Sequence, residues 1–397
     1  MIYLLALTLI GCLIGTITGL TPGLHLNTVC LIGLSIYPKL GLSEIEFGVV
    51  MVSSAVTQSF MDFVPSIFIG VPEEQTALSI LPAHRLVMNG NAMEAIRLTA
   101  YGCLMGVVYS ILLLIPVMLI VPEIHKSMKG TIMYVVLIAV IFLMLREKKK
   151  GYALLTFLLS GWLGYITLDL DIMPPSQTLF PLFTGLFGFS NIILSIKEKA
   201  TSIKQKEDVE VKLDKNTAYS SLIGALCGII VGLLPAMSPS QVGIIAYDIL
   251  GSNLKNFLVS VSAINTSDAI YSLVSLHTIN NARSGVAAML GQVMTLDYNT
   301  LILYIGVTAF SAMIGFFTYL HLGKTAMGII ARIYYEKLNT SILVLILLLV
   351  YWMTGTFGLL LSILATAVGV IPILAGISRT HLMGVLIVPT LTYTLLR

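Results

Sequence analysis

The sequence predicts an all-α, polytopic transmembrane helix bundle with two pseudo-symmetric repeats and broken or re-entrant helices. Three observations predict it. Of the 397 residues, 57% are hydrophobic and only 10% charged, against roughly 25% charged in a soluble domain. Apolar stretches approaching the ~20 residues needed to cross about 30 Å of hydrocarbon recur along the chain. The chain also resembles itself at a shift of 213 positions.

In chain order the apolar spans fall at roughly 2–20, 24–37, 46–70, 96–121, 130–145, 151–169, 177–195, 218–234, 240–251, 255–277, 300–320, 340–360, 361–376 and 380–396. The first has no basic leader region and no Ala-x-Ala site, so it is expected to stay in the mature protein. The stretches 24–37, 240–251 and 361–376 are too short to cross alone. They are expected to form half-helices or arms of re-entrant hairpins, which need protein or cavity water to satisfy their backbone at membrane depth.

The formal net charge of +3 comes from clusters in short connections, notably Arg146-Glu147-Lys148-Lys149-Lys150 and the segment 197–215. A nucleic-acid surface needs a sustained basic face with stacking aromatics, so none is expected. By the positive-inside rule both clusters belong in the cytoplasm of a multi-pass cell-membrane protein. This puts 83–97 near the cytoplasm and 123–129 outside. The expected organisation is a first membrane repeat with extra helices over 1–196, a charged linker over 197–216 and a second repeat over 217–397. Cys12, Cys30, Cys103 and Cys227 lie in apolar stretches without metal-ligand spacing and are expected to be small packing residues.

At the 213-position shift, Ile10-Gly11-Cys12-Leu13-Ile14-Gly15-Thr16-Ile17-Thr18-Gly19-Leu20-Thr21-Pro22 falls on Ile223-Gly224-Ala225-Leu226-Cys227-Gly228-Ile229-Ile230-Val231-Gly232-Leu233-Leu234-Pro235. Glycines four apart can be no more than a close helix-packing face. The proline adds something else: it removes a backbone donor and stops the preceding helix from simply continuing. Interrupted apolar segments at corresponding positions of two halves point to a transporter binding site.

A half-helix starting after either proline offers free N–H groups and the positive end of its dipole to an anion. Pro22, Gly23, His25, Asn27 and Thr28 in the first half, with Pro235, Ser238, Ser240 and Gln241 in the second, are therefore the expected substrate-binding residues. The polar members could equally be local helix caps, and His25 could bind substrate, relay a proton or be structural. Arg283 joins the set because its forked guanidinium suits an anion. A snorkelling interfacial arginine is the alternative.

Further along, Ser54-Ala55-Val56-Thr57-Gln58-Ser59 resembles Ser262-Ala263-Ile264-Asn265-Thr266-Ser267, followed by Asp62 and Asp268 after a small gap. A charge at the bilayer centre costs roughly 2.5–3.5 kcal/mol or more. Asp62 and Asp268, with Asn265, Thr266 and Ser267, are therefore the expected coupling site for Na+ or H+; hydration near an interface is the alternative. Glu73, Glu74 and Gln75 directly follow Pro72, where first-turn acids are explained by the helix dipole. No cofactor or metal is expected.

On these residues the chain resembles the large membrane subunit of the tripartite tricarboxylate transporters, the TctA family, as a divergent member. Gly15-Thr16-Ile17-Thr18-Gly19-Leu20-Thr21-Pro22-Gly23-Leu24 is similar to the family's first Gly-xxx-Gly-xx-Pro-Gly-Leu element. The stretch from Val64-Pro65-Ser66-Ile67-Phe68-Ile69-Gly70-Val71-Pro72 through Leu81-Pro82-Ala83-His84-Arg85 to Gly90-Asn91-Ala92-Met93-Glu94-Ala95 is similar to its second. The departures are His25 after Pro-Gly-Leu, Pro235-Ala236 in place of Pro-Gly, and Gln58-Ser59-Phe60-Met61-Asp62 in place of a glycine-rich stretch. The resemblance implies a permease embedded in the lipid bilayer, a small anionic substrate, a small membrane subunit and an extracytoplasmic binding protein.

Three functions compete. The first is a secondary active transporter, a symporter of a small carboxylate-like anion. The second is a flippase or transporter of an amphiphilic lipid-linked anion such as a polyprenyl phosphate, with which 18 Met residues are compatible. The third, a membrane-embedded enzyme, is disfavoured by the absence of His-Glu-x-x-His, Gly-x-Ser-x-Gly and any acidic metal cluster.

Overall fold

The computed structural model describes residues 2–21, 30, 33–34, 37, 39–68, 80–128, 132–169, 175–190, 193, 205–206, 211, 214–233, 239–250, 253–280, 284–330 and 335–396. The described residues are helical almost throughout. In the first part of the chain lie α1 (Ile2–Leu20), α2 (Glu44–Met61), α3 (Phe63–Phe68), α4 (Ile80–Met88), α5 (Ala92–Leu112), α6 (Leu114–Met128), α7 (Ile132–Arg146), α8 (Lys150–Asp169) and α9 (Pro175–Phe183), which runs into a π-helical turn at Thr184–Phe189. The second part holds α10 (Lys215–Leu233), α11 (Pro239–Ile249), α12 (Leu254–Ile279), α13 (Gly285–Val293), α14 (Tyr298–Ile330), α15 (Tyr335–Ala375), a short 3-10 turn at Arg379–Met383 and α16 (Gly384–Leu396). Among the described residues, eight helices are long and apolar enough to cross a membrane.

Several boundaries depart from the hydropathy spans for identifiable reasons. The run 46–70 bends at Asp62, between α2 and α3. Pro65 has no N–H to give the carbonyl four residues back, which weakens the helix there. The run 96–121 divides at Leu113, with Pro116 in the first turn of α6, where a missing donor costs little. The expected boundary between 340–360 and 361–376 lies at Gly355, φ 66 and ψ −162, where α15 is two helices joined across a kink. Only a residue without Cβ adopts that conformation readily. The expected short span 240–251 is a short helix, α11, and 24–37 lies largely outside the described residues.

The glycines of the two repeated stretches each lie against a longer helix. Gly11 meets Val50 and Ser53, Gly15 meets Ser54 and Gln58, and Gly19 meets Gln58, Met61 and Asp62, so α1 and α2 run parallel. Gly224 meets Ser260 and Ala263, Gly228 meets Ile264 and Ser267, and Gly232 meets Tyr271 and Ser272, so α10 and α12 also run parallel. The two pairs point in opposite directions. Gly102 and Gly106 of α5 climb α12 in step from Val259 to Thr266, and α14 runs parallel to α2, placing Tyr304 on Gly48 and Gly315 on Phe60. Yet α14 is antiparallel to α5, since Tyr319 meets Thr99 and Gly323 meets Ile96.

Helix packing sorts the molecule into two bundles. The first, the polar bundle, joins α1–α6 to α10–α14, with a core running from Leu7 through Phe60, Ile96 and Tyr271 to Tyr319. The second, the flanking bundle, joins α7–α9 and the π turn to α15 and α16 around Phe183, Leu186, Ala365 and Val385. Every extensive helix-to-helix contact among the described residues lies within one bundle or the other.

Polar capping fastens each bundle at one end. In the flanking bundle Lys149 Nζ donates to the Ala375 carbonyl (2.8 Å), the Ser378 amide donates to Glu147 (2.9 Å), and the buried Arg379 donates to the carbonyls of Leu186 and Phe187. In the polar bundle Lys255 pairs with Glu94. Gln205, from the charged segment, donates to the Val87 carbonyl (2.9 Å) and accepts from the Ala92 amide (3.1 Å), and the Lys206 amide donates to the Gly90 carbonyl (2.8 Å). Gln205 thereby serves as the cap of α5, whose own Asn91 makes no side-chain cap.

A buried polar seam as the candidate functional site

The two helices that carry the expected acids are the most enclosed of the eight spans. In the span formed by α2 and α3, and in α12, 89% of the most apolar stretch is buried, against 39–56% in the others. A helix enclosed on all sides would ordinarily be apolar all round. Here α2 and α3 bury Ser53, Ser54, Thr57, Gln58, Ser59, Asp62 and Ser66, and α12 buries Ser260, Ser262, Asn265, Thr266, Ser267, Ser272 and Ser275.

Most of these groups satisfy a backbone carbonyl, and several link helices. Ser54 Oγ donates to the Gly11 carbonyl (3.0 Å), and Ser275 Oγ donates to the Gly232 carbonyl (2.9 Å). Thr266 Oγ1 donates to the Cys103 carbonyl of α5 (2.8 Å), and Asn265 Nδ2 donates to the Ser59 carbonyl of α2 (3.1 Å). Ser267 Oγ donates to the Ile264 carbonyl within its own helix (2.9 Å). The hydroxyl and amide hydrogens of Asn265, Thr266 and Ser267 are thus engaged in packing. As ligands these residues have oxygen lone pairs to offer.

Asp62 sits at the bend between α2 and α3, 1% exposed, with its N–H on the Gln58 carbonyl (2.9 Å). Gly19, in the last turn of α1, lies directly against it: a Cβ there would come 3.1 Å from Oδ1 and 2.6 Å from Met61 Cβ. One turn earlier in α2, Gln58 Oε1 accepts from Thr18 Oγ1 (2.8 Å). The buried carboxylate therefore abuts the C-terminal turn of α1, one residue before the bend at Thr21. Asp268 is half-buried near the middle of α12 and accepts from Ser272 Oγ (3.2 Å).

The contacts also correct the expected pairing of the acids. The glycine contacts match atom for atom three residues short of the 213-position shift: the Val50 and Ser54 carbonyls on Gly11 and Gly15 correspond to the Ser260 and Ile264 carbonyls on Gly224 and Gly228, and Met61 Cβ on Gly19 corresponds to Tyr271 Cβ on Gly232. In that register Asp62 falls on Ser272, and Asp268 on Gln58. The two aspartates are not counterparts in this packing. The sequence match that equated them needed a larger gap than the helix contacts contain.

The second glycine helix ends at Leu233, and α11 begins at Pro239. Gly243 packs on Phe257 and Val261, and the Tyr247 ring meets Phe257 at 5.6 Å, so α11 runs antiparallel to α12. Its first turn, with Ser240 and Gln241, is accordingly level with the middle of α12, close in depth to Asn265 and Ser267. Pro22, Gly23, His25, Asn27, Thr28, Pro235, Ser238 and Arg283, and the side chains of Ser240 and Gln241, lie outside the described residues.

Sequence reasoning passed over Thr18, Gly19, Gln58, Cys103 and Ser275 as site residues. Cys103 and the buried Thr99–Tyr319 pair (2.8 Å) come from other helices and carry no mark in the sequence. Among the described residues no group of His, Cys, Asp or Glu is placed to hold a metal ion.

A multi-pass bundle with a polar, carboxylate-bearing centre defines an integral membrane protein with something to handle inside the hydrocarbon layer. The family of transporters to which it belongs follows from comparison. The model of the tripartite tricarboxylate transporter TctA family matches residues 5–384, and the chain belongs to that family. It is 32% identical, over 98% of both chains, to an uncharacterized protein of Methanocaldococcus jannaschii. No solved structure matches it. It is a transporter-family protein of the membrane, not a member of an enzyme family.

Proposed function

We propose that this chain is the membrane subunit of a secondary active transporter for a small carboxylate-bearing anion, coupled to Na+ or H+. The observation that carries the reading is the Asp62 carboxylate buried against the C-terminal turn of α1. A helix C-terminus presents roughly half a negative charge. A buried carboxylate beside it favours binding a proton or a cation. Asp62 with the Gln58 oxygen and the last carbonyls of α1 forms the coupling site in this reading, and Asp268 with Asn265 a further polar contact on the path.

The repeated glycine helices form an inverted pair, each ending in a break. The opposite directions of the α1–α2 and α10–α12 pairs support this, as does the start of α11 at mid-depth. The residues after Pro22 and Pro235, with Arg283, are assigned to the anion from the sequence pattern, in which a proline interrupts an apolar segment at corresponding positions of the two halves. Tricarboxylates are the cargo named by the family, and its tripartite character implies a small membrane subunit and an extracytoplasmic binding protein as partners.

The test is uptake of labelled citrate and succinate into proteoliposomes, with a Na+ gradient and a pH gradient imposed separately. One gradient is expected to drive accumulation that an ionophore collapses. Carboxylate flux indifferent to both gradients would remove the coupled mechanism.

A further inference from the structure

The two halves of the sequence do not form the two packed bodies of the molecule. The chain passes from the polar bundle to the flanking bundle at 129–131, returns through the charged segment before α10, and passes over again at 331–334. Each bundle therefore contains a piece of each half. In the polar bundle the pieces are locked: Gly102 and Gly106 of the first half seat on Val259, Ser262, Ala263 and Thr266 of the second, and Asn265 and Thr266 bond to carbonyls of the first. The flanking bundle is locked in the same way. Gly164 seats on the Val385 backbone, Gly185 on Ser362 and Gly369 on Leu186, while Arg379 of the second half caps the π turn of the first.

A transporter of two repeats is commonly pictured as one half rocking against the other. Here that motion would tear both cores, since close-packed interiors do not deform continuously. The surface that can slide is the one between the bundles, where no extensive helix packing lies and where no hydrophobic cluster crosses among the described residues. We infer that the polar bundle moves as one rigid body against the flanking bundle and carries the Asp62 seam with it. This rests on the transporter reading for its cargo, not for its geometry.

Charge assigns the roles: the polar bundle buries Asp62, whereas among the described residues the flanking bundle buries Arg379 and no acid, and both bundles present large apolar side chains outward.

The experiment is distance measurement by electron–electron double resonance on spin labels in liposomes, with the four native cysteines replaced by alanine. Pairs between the bundles are Lys255→Cys with Lys150→Cys at the cytoplasmic edge and Tyr298→Cys with Tyr134→Cys at the outer edge. All four positions are exposed. The control within the polar bundle is Tyr298→Cys with Lys255→Cys. Between apo conditions and saturating citrate with Na+ or low pH, both inter-bundle distance distributions are expected to shift by several Å while the control stays single and fixed.

Citrate uptake by the same variants separates the two proposals. Distances that switch without uptake support the motion and count against the carboxylate cargo. A control pair that changes while the inter-bundle pairs do not overturns the rigid-body motion, and so do inter-bundle distances that stay fixed while uptake proceeds.

Discussion

The ends of the two glycine helices are built on one plan and finished differently. At the end of α1, Gly19 faces Asp62, and Thr18 donates to Gln58; at the matching end of α10, Gly232 faces Tyr271, and its carbonyl takes the hydroxyl of Ser275. The first end holds a buried carboxylate and two side-chain oxygens. Among the described residues the second end carries no acid, and its carbonyl is satisfied by a serine. The same backbone arrangement thus sits beside a buried carboxylate in one half and a packing junction in the other.

The largest expected effect comes from removing that difference. Asp62→Asn is expected to lower gradient-driven uptake at least tenfold, about 1.4 kcal/mol or more, whereas Ser275→Ala should leave uptake within about twofold, the loss of one ordinary hydrogen bond. Equal losses in the two variants would erase the distinction between the ends.

Next are the glycines that seat the helices. A Cβ at Gly15 would lie 2.2 Å from the Ser54 carbonyl oxygen, a backbone atom, whereas at Gly228 it would meet the Ser267 hydroxyl at 2.0 Å, which can rotate away. Gly15→Ala is expected to cost about 1–3 kcal/mol through overpacking, and Gly228→Ala less than half as much. Thermal unfolding in detergent checks the order, and Gly306→Ala, where nothing lies within 4 Å, serves as the neutral control.

Asn265→Ala removes the bond to the Ser59 carbonyl and is expected to destabilise by about 1 kcal/mol. Ser59 also lies one turn before Asp62. If Asn265 steadies that bend, the variant raises the half-saturating ion concentration more than it lowers maximal uptake; a purely structural role would lower both the amount of folded protein and uptake together.

The smallest effect concerns helix starts. Asp214 caps α10, and its carboxyl is held below the usual range by hydrogen bonds from the Thr217 amide and then the Thr217 hydroxyl, both 2.8 Å. A depressed folded value means that the stabilisation is fully present above the unfolded value of 3.8 and is lost as pH falls through the folded one. Wild type is therefore expected to lose a small part of its thermal stability below about pH 4 that Asp214→Asn does not lose.

Much of this was legible in the residues and some was not. The membrane spans follow from composition, and the glycine triplets named both helix-packing faces before any contact was known. Asp62 and Asp268 were equated by matching like residues across a seven-residue gap, whereas equivalent glycine contacts differ by three residues and bring Asp62 onto Ser272. The boundary expected at 360/361 falls instead at Gly355; a lone glycine in an apolar run carries no mark of its backbone conformation. The sorting into two interleaved bundles is a property of tertiary packing. It rests on pairs such as Gly164 with Val385 and Gly102 with Val259, which lie far apart in the chain.

The central claim is that the end of α1, and not its counterpart, holds the coupling ion. Its most direct test is the thermal midpoint of purified protein titrated with Na+ at fixed pH, and separately with pH in a Na+-free buffer, for wild type, Asp62→Asn and Ser275→Ala. Wild type and Ser275→Ala are expected to share the same ion-dependent rise, which binding to the folded state alone produces, and Asp62→Asn to lose it. A full response in Asp62→Asn, or its loss in Ser275→Ala, would contradict the account.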